Sequence, residues 1–286
     1  SNMVKITLII FSLFCLKAFS GATVIYGEDD RLDWYESPNA TYRDLALSTA
    51  AMIDKKKLLN KSDYIKISGI TLRGRGICES ERFSEQITAA SCSGFLVGED
   101  LLVTAGHCIE SQADCAKYSW VFSYKKDFKE HRADMVEKTD VYNCSQIIER
   151  KLETFSKNDY ALIKLKKKVI GRTPLKFRTE GKPNKGDNLV VIGHPSGLPT
   201  KIADGAKIRN TKSKYFKANL DTYGGNSGSA VFNADTGIIE GILVRGATDY
   251  ISRNGCRESN RVSNNGGRGE DVTYITNIKA LSKNIK

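Results

Sequence analysis

The sequence predicts an all-β fold closed by one late helix. Short apolar or alternating runs recur along most of the 286 residues, and glycine-rich turns separate them. No internal repeat or low-complexity tract interrupts this pattern. Near the end, Ile278, Leu281 and Ile285 stand three to four residues apart, a helical stripe. Lys279, Lys283 and Lys286 lie toward its end, where cations complement the helix dipole. Many short strands followed by a single helix fit a pair of β-barrels.

Taken in order, residues 47–53 enter the first strand. Residues 61–86 are rich in Gly, Arg and charge and read as an inserted loop, with Gly74 and Gly76 flanking Arg75. Residues 88–97 form a strand ending in Phe95-Leu96-Val97. After the turn Gly98-Glu99-Asp100, a second strand follows at 101–103, and this hairpin delivers residues 104–107 to one rim of the first barrel. Trp120-Val121-Phe122 and Val141-Tyr142 are further short strands, and residues 159–165 make another. The chain crosses to the second barrel near 171–185. There 188–193 read as a buried strand, 201–208 and 214–220 lead into a Gly-rich loop, and 237–246 hold a further strand.

Hydrophobic residues make up 40% and charged residues 27%, ordinary for a globular protein. The net charge is +11, but the lysines and arginines are scattered, so a solvated basic surface is expected and no nucleic-acid partner. Ser1-Asn2 resemble a cloning scar. Lys5, the apolar run 6–16 and small residues at Ala18 and Ser20 have the pattern of a secretory signal peptide. The run is short for a bilayer span, so no stable membrane insertion is expected after its removal. The expectation is a secreted or periplasmic monomer. Of the seven cysteines, Cys15 falls in that run. The other six (Cys78, Cys92, Cys108, Cys115, Cys144, Cys256) form an even set, which in an exported chain reads as disulfides.

Three motifs carry chemistry. Gly224-Gly225-Asn226-Ser227-Gly228-Ser229 leaves one hydroxyl open and lets the backbone turn sharply. A serine hydroxyl needs a base and donors for the oxyanion it creates. Thr104-Ala105-Gly106-His107-Cys108 supplies an imidazole, and Asn158-Asp159-Tyr160-Ala161-Leu162 a carboxylate. His131 lies in a charged stretch and His194 in a Gly-His-Pro turn, and neither has comparable neighbours. In the order His107, Asp159, Ser227 the chain resembles the chymotrypsin/trypsin-like serine peptidases. The Gly-Asn-Ser-Gly-Ser form is similar to the bacterial branch that includes the glutamyl endopeptidases. The resemblance covers most of the chain from about Leu47 onward.

It implies two six-stranded antiparallel β-barrels with a C-terminal helix, spanning 47–286, and an endopeptidase without cofactor or metal acting on proteins or peptides. His107 would be the general base, Asp159 its orienting partner, Ser227 the nucleophile, and the N–H groups of Gly225 and Ser227 the oxyanion hole. The resemblance implies a Cys92–Cys108 bond. The other four cysteines allow three pairings, of which Cys115–Cys144 with Cys78–Cys256 is the one expected. Residues 21–46 form an N-terminal extension or a propeptide. Their Val24-Ile25…Asp30-Arg31 opening is similar to the mature start of the bacterial branch.

A zymogen is expected, yet Asn226 replaces the aspartate that pairs with a new N-terminus in the digestive enzymes, so that ion pair does not carry over. Asp221, six residues before Ser227, sits where a carboxylate would select Arg or Lys. Thr222, Val244, Arg245 and Gly246 complete the expected pocket. The histidine that glutamyl endopeptidases use would fall near Leu243 and is absent. Arg245 stands where relatives carry an aromatic residue, and its guanidinium could instead neutralise Asp221 and close the pocket. A catalytically silent binding protein is the competing reading. A metal hydrolase finds no cluster with ligand spacing outside the cysteines.

Overall fold

The computed structural model describes residues 25–246 and 249–284. The signal-peptide pattern lies outside them, as do Val24, Ile285 and Lys286. Twelve strands, numbered here in chain order, close into two six-stranded antiparallel barrels. The first contains β1 (Thr49–Asp54), β2 (Cys92–Leu96), β3 (Leu101–Thr104), β4 (Tyr118–Val121), β5 (Val141–Leu152) and β6 (Asp159–Leu165). Its ring runs β4-β5-β6-β3-β2-β1, with β1 paired back to β4. The second contains β7 (Asn188–Gly193), β8 (Lys201–Thr211), β9 (Tyr215–Ala218), β10 (Ala230–Asn233), β11 (Ile239–Arg245) and β12 (Glu270–Tyr274). Its ring runs β7-β10-β11-β12-β9-β8 and closes through β7 and β8.

The unbroken apolar run of β7 has a simple cause. Side chains alternate across a strand, and here both faces are covered. Leu189 and Val191 point into the second barrel with Phe216, Leu243 and Val272. Val190 and Ile192 join the larger core that also holds Phe95 and Trp120. β10 repeats the arrangement, with Val231 inside and Ala230 and Phe232 outward. Burying each such large apolar side chain is worth roughly 1.5–3 kcal/mol. β5 serves two neighbours, β4 at its start and β6 along the rest, with register shifts between Cys144 and Gln146 and between Ile147 and Glu149. Bulges of this kind bend a strand, and they explain why only its first two residues read as strand in the sequence.

Residues 61–86 are more ordered than a loop. Tyr64–Ile67 pairs with Leu58–Asn60 and Met135–Glu137, and Ile70–Thr71 pairs with Ile87–Thr88. Ile67 is buried with Ile53, Val121 and Tyr124, which gives this small sheet its anchor. Residues 25–46 pack onto the second barrel. Arg31–Asp33 adds to β8, and Ile25–Tyr26 lies parallel to Arg261–Val262. Helix α1 (Ala40–Ala46) follows, capped by Asn39; α2 (Gln112–Lys117) lies between β3 and β4. The terminal helix is α3 (Lys279–Asn284), with Ile278 and Leu281 buried as the stripe requires. The disulfides are Cys92–Cys108, Cys115–Cys144 and Cys78–Cys256. Among the described residues no helix is long and apolar enough to cross a membrane.

Candidate active site

His107 sits in the turn that leaves β3, and Asp159 opens β6, the strand paired with β3. Adjacent strands thus deliver imidazole and carboxylate side by side. Asp159 is almost fully buried. Its Oδ1 accepts the backbone N–H groups of Gly106 (2.7 Å) and His107 (3.2 Å), and its Oδ2 lies 2.8 Å from His107 Nδ1. With Nδ1 turned to that carboxylate, Nε2 is left as the free imidazole nitrogen. Gly106 is required for space, since a Cβ there would fall 2.0 Å from the Lys151 carbonyl.

The loop carrying Ser227 joins β9 to β10. Gly225 (φ +95°) and Gly228 (φ +88°) adopt left-handed backbone conformations that other residues rarely accept. Asn226 stabilises the turn from within, its Oδ1 accepting the Ser229 hydroxyl at 3.1 Å. The N–H groups of Gly225 and Ser227 donate to no acceptor among the described residues. Ser93 ties this loop to the first barrel. Its N–H donates to the Ser227 carbonyl (2.8 Å), and its hydroxyl donates to the Gly225 carbonyl (2.9 Å) and accepts the His194 N–H (3.0 Å). Cys108 Sγ also lies 3.6 Å from the Ser227 carbonyl. The residue after the imidazole therefore touches the residue bearing the hydroxyl.

A cleft of about 180 Å³ adjoins Ser227. Thr222, Tyr223 and Gly224 form one wall, and Leu243, Arg245 and Gly246 the other. Val244 packs in the core instead. Asp221 is not among the residues lining the cleft. Its two oxygens accept the backbone N–H groups of Tyr26 (2.7 Å) and Asp30 (3.0 Å), and burial pushes its carboxyl up to about 7. Arg245 does not reach it. Its guanidinium lies between Asp159 (3.4 Å) and Asp271 of the second barrel (3.3 Å), and donates to the Lys157 carbonyl at 2.6 Å. The cleft's acids are Asp249 and Glu270. Asp249 accepts the Gly224 N–H at 2.6 Å, and burial raises its carboxyl to about 6. Cys92, His107 and Cys108 crowd within 4.8 Å, but the two sulfurs are bonded to each other, so neither is a thiolate ligand.

A family profile described as the trypsin-like peptidase domain matches residues 92–242, just over half of the chain. The chain belongs to the trypsin-like peptidase family. No curated protein matches it in sequence. Its fold is similar to that of a Glu endopeptidase solved in complex with MPD, at 17% identity and a TM-score of 0.50, covering 91% of this chain and 96% of the other. It is also similar to neuropsin, a serine protease expressed in the limbic system of mouse brain, at 17% identity and a TM-score of 0.53, covering 83% of this chain and 93% of the other. At such identity the likeness speaks to the fold.

Within this trypsin-like domain, sequence motifs located the imidazole, the carboxylate and the hydroxyl loop. They did not locate Ser93, Arg245's actual partners or Glu270. Ser93 stood in plain sight, one residue after a paired cysteine. Glu270 carried no local signal, because only the pairing of β11 with β12 brings it opposite Gly246.

Proposed function

We propose that the protein is an exported serine endopeptidase that cleaves proteins or peptides through an acyl-enzyme. Ser227 Oγ attacks the scissile carbonyl carbon while His107 Nε2 takes its proton. The carbonyl oxygen becomes an oxyanion facing the N–H groups of Gly225 and Ser227. Collapse breaks the C–N bond, and His107 returns the proton to the leaving amine. Water then repeats the sequence on the ester and frees Ser227. Asp159 holds the imidazole in the tautomer that leaves Nε2 basic. The observation that carries this reading is the 2.8 Å contact of His107 Nδ1 with a carboxylate whose other oxygen is held by two backbone N–H groups.

Export is supported by the leader pattern of residues 1–20 and by three disulfides, which persist in oxidising compartments. We assign residues 25–46 to the mature enzyme rather than to a discarded propeptide, because Ile25 and Arg31 are buried against the second barrel. The test is labelling with a fluorophosphonate probe. The wild-type protein is expected to react at one site, and Ser227→Ala to lose that reaction together with peptide hydrolysis. Correctly processed wild-type protein that resists the probe would favour a silent binding protein instead.

A further inference from the structure

Glu270 is fully buried, yet it faces the cleft beside Ser227. Its Oε1 accepts the Tyr26 hydroxyl at 3.4 Å, while its Oε2 has no hydrogen-bond partner. A Cβ at Gly246 would fall 2.0 Å from that same Oε2, so the glycine leaves the carboxylate room at the cleft wall. Burial pushes the Glu270 carboxyl well above its usual range. The Thr222 hydroxyl and the Arg268 guanidinium pull it down, and Asp249 and Asp271 push it up.

Among the described residues no cation forms an ion pair with Glu270. Arg245 is committed to Asp159, Asp271 and the Lys157 carbonyl. Arg268 is committed to Asp271 and the Gly269 carbonyl. Lys217, the third cation nearby, also goes to Asp271. A buried carboxylate oxygen without a partner is costly. A group entering the cleft can supply the missing partner.

We propose that Glu270, not Asp221, selects the substrate side chain on the acyl side of the scissile bond, and that it selects the cations of lysine and arginine. This rests on the peptidase reading above. An acidic side chain would meet two carboxylates, Glu270 and Asp249. A neutral apolar one would leave Oε2 buried and unpaired. An ammonium or guanidinium entering past Gly246 supplies the donor. Asp249 adds a second negative group at the cleft, while Asp221 below is occupied by two backbone N–H groups and offers no free oxygen.

The experiment combines peptide-library profiling with direct calorimetric binding of benzamidine, which reads the cleft whether or not the protein turns over substrate. Wild-type protein is expected to prefer Lys and Arg and to bind benzamidine. Glu270→Gln is expected to lose about 10²-fold in kcat/KM on Lys and Arg substrates. It should weaken benzamidine at least tenfold and keep wild-type fluorophosphonate labelling, which reports an intact fold and relay. Asp221→Asn should retain the preference. A neutral or acidic preference in the wild type overturns the proposal. So does a Glu270→Gln protein that keeps both the preference and benzamidine. Wild-type protein that binds benzamidine but resists labelling would sink the peptidase reading and leave the cleft assignment standing.

Discussion

Gly225 carries two demands that no other residue meets together. Its φ of +95° disfavours any side chain, and a Cβ there would lie 2.7 Å from both the Gly197 nitrogen and the His194 carbonyl oxygen. Gly225→Ala is therefore expected to tilt one oxyanion donor away and lower kcat by about 10²–10³-fold with little change in KM. Steady-state kinetics on one peptide substrate separates the two. Legibility divides along the same line at this scale. Ser227, His107 and Asp159 announce themselves through immediate neighbours, since a sharp turn, a paired cysteine and a strand start are all local. Asp221 reads as a pocket acid in the sequence because its offset from Ser227 is local too. What occupies it, the backbone of Tyr26 and Asp30, comes from 195 and 191 residues away. Nothing in the order of residues advertises that.

The hairpin of β2 and β3 shows how an element holds a reactive group. Cys92 begins β2 and Cys108 follows His107, and their bond closes a segment of 16 residues. The chain-entropy model assigns a loop of this size about 3 kcal/mol. Replacing both cysteines by alanine should lower the unfolding free energy by about that amount in urea titrations. It should also reduce turnover, because the His107 turn loses its tether. Strands with apolar runs and flanking glycines were readable: 159–165 and 188–193 match β6 and β7 residue for residue. β12 was not, because it opens on two adjacent acids, Glu270-Asp271, and the burial of all five of its residues comes from the barrel around it. Helices α1 and α2, at seven and six residues, are too short to leave a period.

Across the whole molecule, the seam between the barrels joins an apolar core to buried polar groups, and some of the protein's buried groups titrate. His194 is buried against Tyr124, with Nδ1 on the Leu198 carbonyl and Nε2 without a partner. Burial lowers its ring to about 3 from the ordinary 6.5. Below pH 6.5 the unfolded chain takes up a proton that the folded chain refuses, so this residue costs stability as the pH falls toward 3, at about 1.4 kcal/mol per unit. Asp221 acts in the opposite sense. Its carboxyl is raised to about 7 from 3.8, so its contribution is full below 3.8 and is lost as the pH rises through 7. The two slopes oppose each other between 3.8 and 6.5. In His194→Gln the first disappears, so the gap between wild type and variant should widen from pH 4 to 6.5 and stay level above. Urea unfolding at stepped pH reads this directly. The double-barrel plan was visible in the strand rhythm, but the seam's chemistry needed the folded chain, since Ser93, His194 and Ser227 are far apart along it. Arg245 belongs to this seam as well. One guanidinium both lines the cleft beside Ser227 and braces the carboxylate behind the imidazole, so any attempt to retool selectivity by trimming that arginine should exact a penalty in turnover.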